Sequence, residues 1–445
     1  MGASTDAAGL RGDVIGRDDP RYDEHRRSFN GTVDRHPKLI VLCASPADVA
    51  RALRHGRDNG LQIAVRGGGH SVAGHGLVDG GLVVDLRPMR DVAVDPDARI
   101  ARAGGGTLWE GFDNATQRHG LAVTGGTFVD TGIGGLTLGG GLGYLMGAYG
   151  LTCDNLVGAE LVTADGRVLE VDGSSDPELL WALRGGGGNF GVATRLDLGL
   201  HPVGELSAGN LIVALDDGSL LRRLASVQAI APESFVVVAN LGNRPEFGLS
   251  NRLLIAALED LDTTRELAQE IIGDVRVLAG SIERRSYGEV QRFLGVLPFG
   301  LRHYWKSAFV EELSDPVIDA ITAAIRAHPV GHSNIMLEPI HGVARRYDEG
   351  HAAFPERTAR YHVSALGVWT DPPDDEPEKT WVRSVHASIT ALGGARTYVN
   401  YLSTDEPADR ASSTYPPTTL RRLREVKRRL DPDNVFRSNL NITPA

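Results

Sequence analysis

The chain has 445 residues, more than one ordinary domain holds. With 42% hydrophobic and 23% charged residues it has a globular composition, and its formal net charge of −11 argues against nucleic acid or an anionic membrane as main partner, since both need a cationic surface. No apolar run approaches the roughly 20 residues that span a bilayer, no apolar signal-peptide core opens the chain, and only Cys43 and Cys153 are present, too few for a disulfide framework, so a cytoplasmic protein is predicted.

The first half alternates strands and helices. Ser45 and Pro46 open a helix as cap and first residue, Val49, Ala50 and Leu53 give it an apolar stripe, and Gly60 ends it. A strand over 62–65 runs into RGGGHS, and 81–86 reads as a buried strand. Thr107 and Glu110 have the spacing of a capping box for a helix through Asn114. Asp165-Gly166 joins a hairpin of 159–162 and 168–171, and Asp176-Pro177 starts a helix that Gly185 stops. Beyond residue 203 the elements lengthen. Strands are predicted near 208–215, 235–241, 252–258, 304–311, 333–340 and 360–369, and helices near 217–230, 262–274, 315–328 and 376–392, a pattern of an antiparallel sheet backed by helices. A basic helix from Thr418 to Arg429, with the run Arg421 to Arg429 expected on a solvated face, precedes the turn DPDNVF.

Glycine is over-represented, with 55 residues, about 12% against a usual roughly 7%. The excess lies in three clusters between residues 67 and 191. The first is Arg66-Gly67-Gly68-Gly69-His70-Ser71, with His75 and Gly76 just after; following a strand, it can turn successive N–H groups inward as an anion nest. The second holds Gly125, Gly126, Gly134, Gly135, Gly139 and Gly140, a stretch with little side chain, as if a flat ligand lay against the backbone. The third is Gly185 to Gly191. Its match to G-x-G-x-x-G follows a helix and precedes a β-like run, the reverse of a dinucleotide-binding Rossmann turn. Turns could explain any one cluster; three together point to a phosphate-bearing cofactor.

The motifs RGGGHS, GGLTLGGGLGYL and KRRLDPDNVFR, with Tyr398-Val-Asn-Tyr401, resemble those of the berberine-bridge-enzyme-like FAD-linked oxidoreductases of the vanillyl-alcohol oxidase / p-cresol methylhydroxylase superfamily. The layout is most similar to bacterial members. The resemblance implies an α+β fold: a two-part FAD-binding domain of the p-cresol methylhydroxylase type over 1–202, an antiparallel-sheet substrate domain backed by helices over 203–414, and a segment over 415–445 that returns to the first domain. It implies that His70 bonds the flavin 8α-methyl carbon and that Gly67, Gly68, Gly69 and Ser71 cradle the pyrophosphate. Gly125, Gly126, Asp130, Thr131, Gly134, Leu136, Gly139 and Gly140 would line the flavin and its ribityl chain. Asn155 and Val192 lie in segments that touch the cofactor, and Asn439 and Asn441 return to it. Many relatives attach FAD a second time, through a Cys in G-x-C-P-T-V-G. Phe128 stands at that place here, so one covalent bond, through His70 only, is expected.

The implied chemistry is hydride removal from a CH–OH or CH–NH group, with electrons passing to molecular oxygen. Three residues are candidates for the base. Tyr401 matches the second tyrosine of Y-x-N-Y, and needs a polarising neighbour because its ordinary pKa is near 10. Glu338 stands among apolar neighbours in IMLEPI, and His362, in YHVSALGVW, aligns with a catalytic Glu of plant members. Packing or a surface strand is the alternative at each. Tyr398 and Asn400 would hold the flavin edge or order Tyr401. An oxidative cyclase or dehydrogenase of natural-product biosynthesis and a non-catalytic flavoprotein are the competing functions. The histidine spacings fit no metal site. The expected partners are a small-molecule substrate and oxygen, not nucleic acid or membrane; a homodimer is compatible with these.

Overall fold

The computed structural model describes residues 13–296, 298–327, 332–407 and 409–445. Two small sheets build the N-terminal half. In the first, Asp13–Gly16 pairs antiparallel with Leu39–Leu42, which runs parallel to Leu82–Asp85 and, through it, to Ile63–Arg66. The helix Pro46–Asp58 covers one face with Val49, Ala52 and Leu53. Its start is as read: the Ser45 hydroxyl accepts from the Asp48 N–H, Pro46 needs no N–H partner, and Gly60 takes the left-handed turn after the end.

The second sheet is antiparallel, in the order Val92–Asp95, Ile100–Gly104, Val192–Gly199, Leu156–Val162, Val168–Asp172. The outer pair 92–104 escapes prediction because VAVDPDARI is short and polar. The Thr107–Glu110 capping box does not form. The helix runs Trp109–Gln117 without a side-chain cap, the Thr107 hydroxyl is buried without a partner, and Glu110 pairs with Arg292. Tertiary packing thus overrides the local signal. A further helix, Ile133–Gly139, forms inside the second glycine cluster.

The C-terminal half is one antiparallel sheet in the order Val277–Ala279, Leu206–Ala214, Gly248–Ala257, Val236–Arg244, Asn334–Pro339, Tyr361–Trp369, Arg302–Val310, with Ile282–Arg285 also on Leu206–Ala214. Alternation decides its two faces. Leu253, Ile255, Val237, Ile335, Leu337 and Val363 face the helices Ser219–Gln228, Leu261–Ile272, Asp315–Arg326 and Asp375–Ala391. The opposite set, with Leu254, Val238, Met336 and Leu366, packs on Tyr144, Met146 and Tyr398. The second face therefore looks toward the glycine-rich segments. The helix Pro417–Leu430 returns to the N-terminal half, placing Leu423, Val426 and Leu430 in the core around Trp181 and Phe190. No helix among the described residues is long and apolar enough to cross a membrane.

Candidate active site

The three glycine segments converge on one cavity of about 300 Å³. The loop after Ile63–Arg66 forms one wall, with Gly69 at φ +77°. Gly68 and Gly132 touch backbone to backbone, so a side chain on either would collide with the other. Gly186, Gly187 and Gly188 form a second wall, held by Asn189, whose amide donates to the carbonyls of Gly186 and Leu440 and accepts from the Ile442 N–H. Asn439 closes that wall by donating to the Gly188 carbonyl at 3.0 Å. The far wall comes from Trp305, Tyr398, Asn400 and Tyr401. The Tyr398 hydroxyl oxygen accepts from the Gly141 N–H at 2.7 Å and from the Asn400 amide at 2.9 Å, which pins the glycine-rich segment to the C-terminal half.

Arg66, Gly67, Gly68, Gly69, His70, Ser71, His75, Gly76, Gly126, Thr131, Gly134, Gly135, Leu136, Gly139, Val192, Tyr398, Asn400, Tyr401 and Asn439 all line this cavity. Arg66 does so with its stem, since its guanidinium donates to the carbonyls of His25 and Arg27. Other predicted residues stand outside the lining. Gly125 packs under Trp109 and Gln291, and its N–H donates to the Tyr287 hydroxyl. Gly140, at φ +137°, lies against Phe354 and Tyr398. Asn155 donates to the carbonyls of Tyr149 and Leu151 and contacts His201, a turn-stabilising role. The Asn441 side-chain oxygen is buried without a partner. Trp305, Asn189, Tyr415 and Phe436 line the cavity without having been singled out. Of these, Asn189 carried a signal in its place in GGGGNFG and Phe436 in its place in DPDNVF.

His70 stacks on Phe29 at 3.8 Å between ring centres, and Phe29 stacks in turn on His303 at 4.4 Å. The Nε2 of His70 is buried, has no hydrogen-bond partner, and lies 3.6 Å from a carboxylate oxygen of Asp130, too long for a hydrogen bond but within ion-pair reach. With Nε2 turned inward, Nδ1 is the nitrogen left for the cavity.

The three predicted catalytic residues do come together. Glu338 and His362 are directly opposite in the sheet register, and Oε2 of Glu338 lies 2.8 Å from Nδ1 of His362. Both are buried and line neither this cavity nor the next. The His362 ring centre is 5.2 Å from that of Tyr401, which alone of the three reaches the cavity. Burial, then the Glu338 charge, push Tyr401 well above the ordinary phenol range.

A second cavity of about 400 Å³ adjoins the first, since Phe128 and Trp305 line both. Phe128 thus stands between the glycine-lined space and the sheet face. Cys43 and Cys153 are both free and buried.

The first cavity suits the FAD that the resemblance implies. A side chain on Gly135 or Gly188 would meet no protein atom within 4 Å and would project into the space. These two glycines keep room for a ligand, whereas Gly68 and Gly132 are required by close packing. Two residues that line it, His70 and Asn439, carry buried polar atoms without a partner, whereas Asp130, also without hydrogen bonds, stands outside the lining.

Comparison with known proteins agrees. Residues 37–172 match the FAD binding domain model, and residues 397–443 match the model described as berberine and berberine like. The (R)-6-hydroxynicotine oxidase of Paenarthrobacter nicotinovorans is 32% identical over 98% of this chain and 97% of its own. An FAD-linked oxidoreductase of Bacillus subtilis is 30% identical over 98% and 97%. The crystal structure of 6-hydroxy-D-nicotine oxidase from Arthrobacter nicotinovorans superposes with a TM-score of 0.89 at 30% identity, covering 98% of each chain. The xylooligosaccharide oxidase of Myceliophthora thermophila, at 22% identity and a TM-score of 0.86, shares the fold. The chain belongs to the berberine-bridge-enzyme-like family of FAD-linked oxidoreductases.

Proposed function

We propose that the protein is an oxidase of a small organic substrate, holding FAD by a single covalent bond to His70. The observation that carries this reading is the junction at Phe128 and Trp305, where the glycine-lined cavity meets a second cavity on the sheet face. When bound, FAD supplies a hydride acceptor for a CH–OH or CH–NH carbon and passes the electrons to oxygen. In this reading Gly67, Gly68, Gly69 and Ser71 hold the pyrophosphate with backbone N–H groups, and Gly135 leaves room for the ring system, with Gly134 and Gly139 lining the same wall. Phe128 replaces the sulfur that a second bond would need.

The protein's own chemistry is proton handling. Tyr401 lines the first cavity beside Trp305, which the two cavities share, and holds its proton tightly, because burial and Glu338 disfavour the phenolate. It acts first as a hydrogen-bonding group that orients substrate. In this reading a substrate hydroxyl gives its proton to Tyr401 as Tyr401 passes its own on to the Glu338–His362 pair, which lines neither cavity; a neutral amine needs no such base. Tyr398 and Asn400 keep this wall registered against the glycine segment.

The test is the absorbance of purified protein before and after acid precipitation, for wild type and His70→Ala, followed by oxygen uptake with alcohols and amines. Yellow colour retained in the wild-type pellet and lost from that of the variant is the expected outcome. Flavin that washes out of wild type removes the covalent link. Retained flavin with no oxygen uptake under any substrate that bleaches it makes the protein a dehydrogenase.

A further inference from the structure

The second cavity has a charge distribution that its walls do not explain. Phe128, Leu294, Leu301, Met336 and Leu366 make most of it apolar, yet two guanidinium groups, Arg244 and Arg252, also line it. Arg252 stands opposite Asn240 in the sheet register, and Asn240 opposite Met336, so these side chains share the face that also carries Glu338 and His362.

The two arginines differ in how they are satisfied. Arg244 spends its donors on neutral groups: one terminal nitrogen on the carbonyls of Gly242 and Ser250 and the Ser250 hydroxyl, the other on the carbonyl and amide oxygen of Asn240. Arg252 is partly buried, its Nε is buried without a partner, and among the described residues it makes no hydrogen bond or ion pair. No carboxylate pairs with either arginine among those residues. Burial lowers the pKa of both, that of Arg244 to about 10 with the neighbouring Arg252 charge adding to the effect. Two partly desolvated cations without a counter-ion are costly unless something anionic enters.

We propose that the second cavity takes its substrate as a carboxylate, paired with the guanidinium of Arg252, on a compact and otherwise apolar molecule. Only one of the two forks has free donors, which suits a two-oxygen acceptor better than a phosphate. The apolar walls cover the rest of the molecule, and Phe128 and Trp305 mark the end at which it meets the first cavity. The assignment rests on the reading of that first cavity as the flavin's.

Benzoate and its neutral isostere benzamide are suitable probes, titrated into the holoprotein while the visible flavin spectrum is recorded, with calorimetry reading the same binding independently of flavin. Benzoate is expected to bind about tenfold or more tighter than benzamide in wild type, a difference that falls to near unity in Arg252→Gln while benzamide affinity stays unchanged. Arg252→Lys should retain part of the preference, and flavin content and melting temperature report whether either variant folds. Equal binding of the two probes to wild type, no benzoate binding at millimolar concentration, or an unchanged preference in a folded Arg252→Gln each overturns the proposal. Calorimetric preference in a protein that never carries flavin would leave the anion subsite standing and sink the flavin reading instead.

Discussion

Lys427 lies wholly inside the protein, with its ammonium 2.6 Å from the carboxylate of Asp431 one helical turn later. The same ammonium donates to the carbonyls of Asn189 and Phe436, at 2.9 and 2.8 Å, and Asp431 accepts from the N–H groups of Val435 and Phe436. The motif KRRLDPDNVF is therefore a knot that fastens the C-terminal helix to the third glycine segment. Its basic residues were read as a solvated face, which holds for Arg428 and Arg429 and fails for Lys427. Lys427→Met would leave Asp431 buried and unpaired, at a cost of about 3–5 kcal/mol. Urea denaturation should show that loss, whereas the exposed control Arg428→Met should stay within about 0.5 kcal/mol of wild type. An equal effect of the two substitutions would refute the knot. Because Asn189 and Phe436 line the cavity, flavin retention should fall with Lys427→Met as well.

Among the described residues, His70 is the one that Asp130 meets within ion-pair reach. Its two carboxylate oxygens are buried and without hydrogen bonds, and one lies 3.6 Å from Nε2 of His70. Asp130 thus stands at the Nε2 edge of the ring, opposite Nδ1, the nitrogen that the proposed flavin bond would use. Asp130→Asn keeps the shape and removes the charge. Apoprotein incubated with FAD should then form the acid-stable flavin bond about tenfold more slowly or worse, while reversible flavin binding persists. Fluorescence of the denatured protein on a gel reads the bond directly. Unchanged kinetics would leave Asp130 a packing residue.

Gly135 separates a folding role from a ligand-space role. It lies in the helix Ile133–Gly139, where Gly is intrinsically unfavourable by roughly 1 kcal/mol. A side chain there meets only open cavity. Gly135→Leu should keep or raise the melting temperature while the protein loses most of its flavin, measured as the ratio of visible to ultraviolet absorbance. Loss of fold together with flavin would mean that the glycine serves packing.

His303 predicts a pH effect. It is buried, neither ring nitrogen has a partner, and burial, then the nearby His70, hold its pKa at about 3. In the unfolded chain it titrates near 6.5. Between those values the unfolded state binds the extra proton, so stability rises with pH and is lost as pH falls below 6.5, by up to about 1.4 kcal/mol per pH unit. His303→Phe keeps the stack on Phe29 and removes the proton. The stability gap between pH 7 and pH 5, from urea unfolding, should be smaller in the variant by about 2 kcal/mol. An identical gap would show that His303 is not buried neutral in solution.

Local chemistry made much of this protein readable in its sequence. The Ser45-Pro46 and Asp176-Pro177 starts, the alternating strands after residue 203 and the three glycine clusters are set by backbone geometry within a few residues. The loop around His70 was legible in the same way, as small residues after a strand that allow close approach to a ligand, whereas the part assigned to His70 came from the family resemblance. What lay beyond reach depends on contacts between distant segments. Asn30 illustrates it: its amide donates to the carbonyls of Val72 and His303 and accepts from the His303 N–H, stitching the first glycine loop to the large sheet. Glu338 and His362 become a pair only through strand register, Lys427 becomes buried only when its helix docks, and Thr107 loses its cap to packing. Sequence alone determined where the backbone could turn, cap and leave room, since those preferences are local. Tertiary structure alone decided which charges lost their water and which gained partners, because desolvation depends on what the rest of the chain brings alongside.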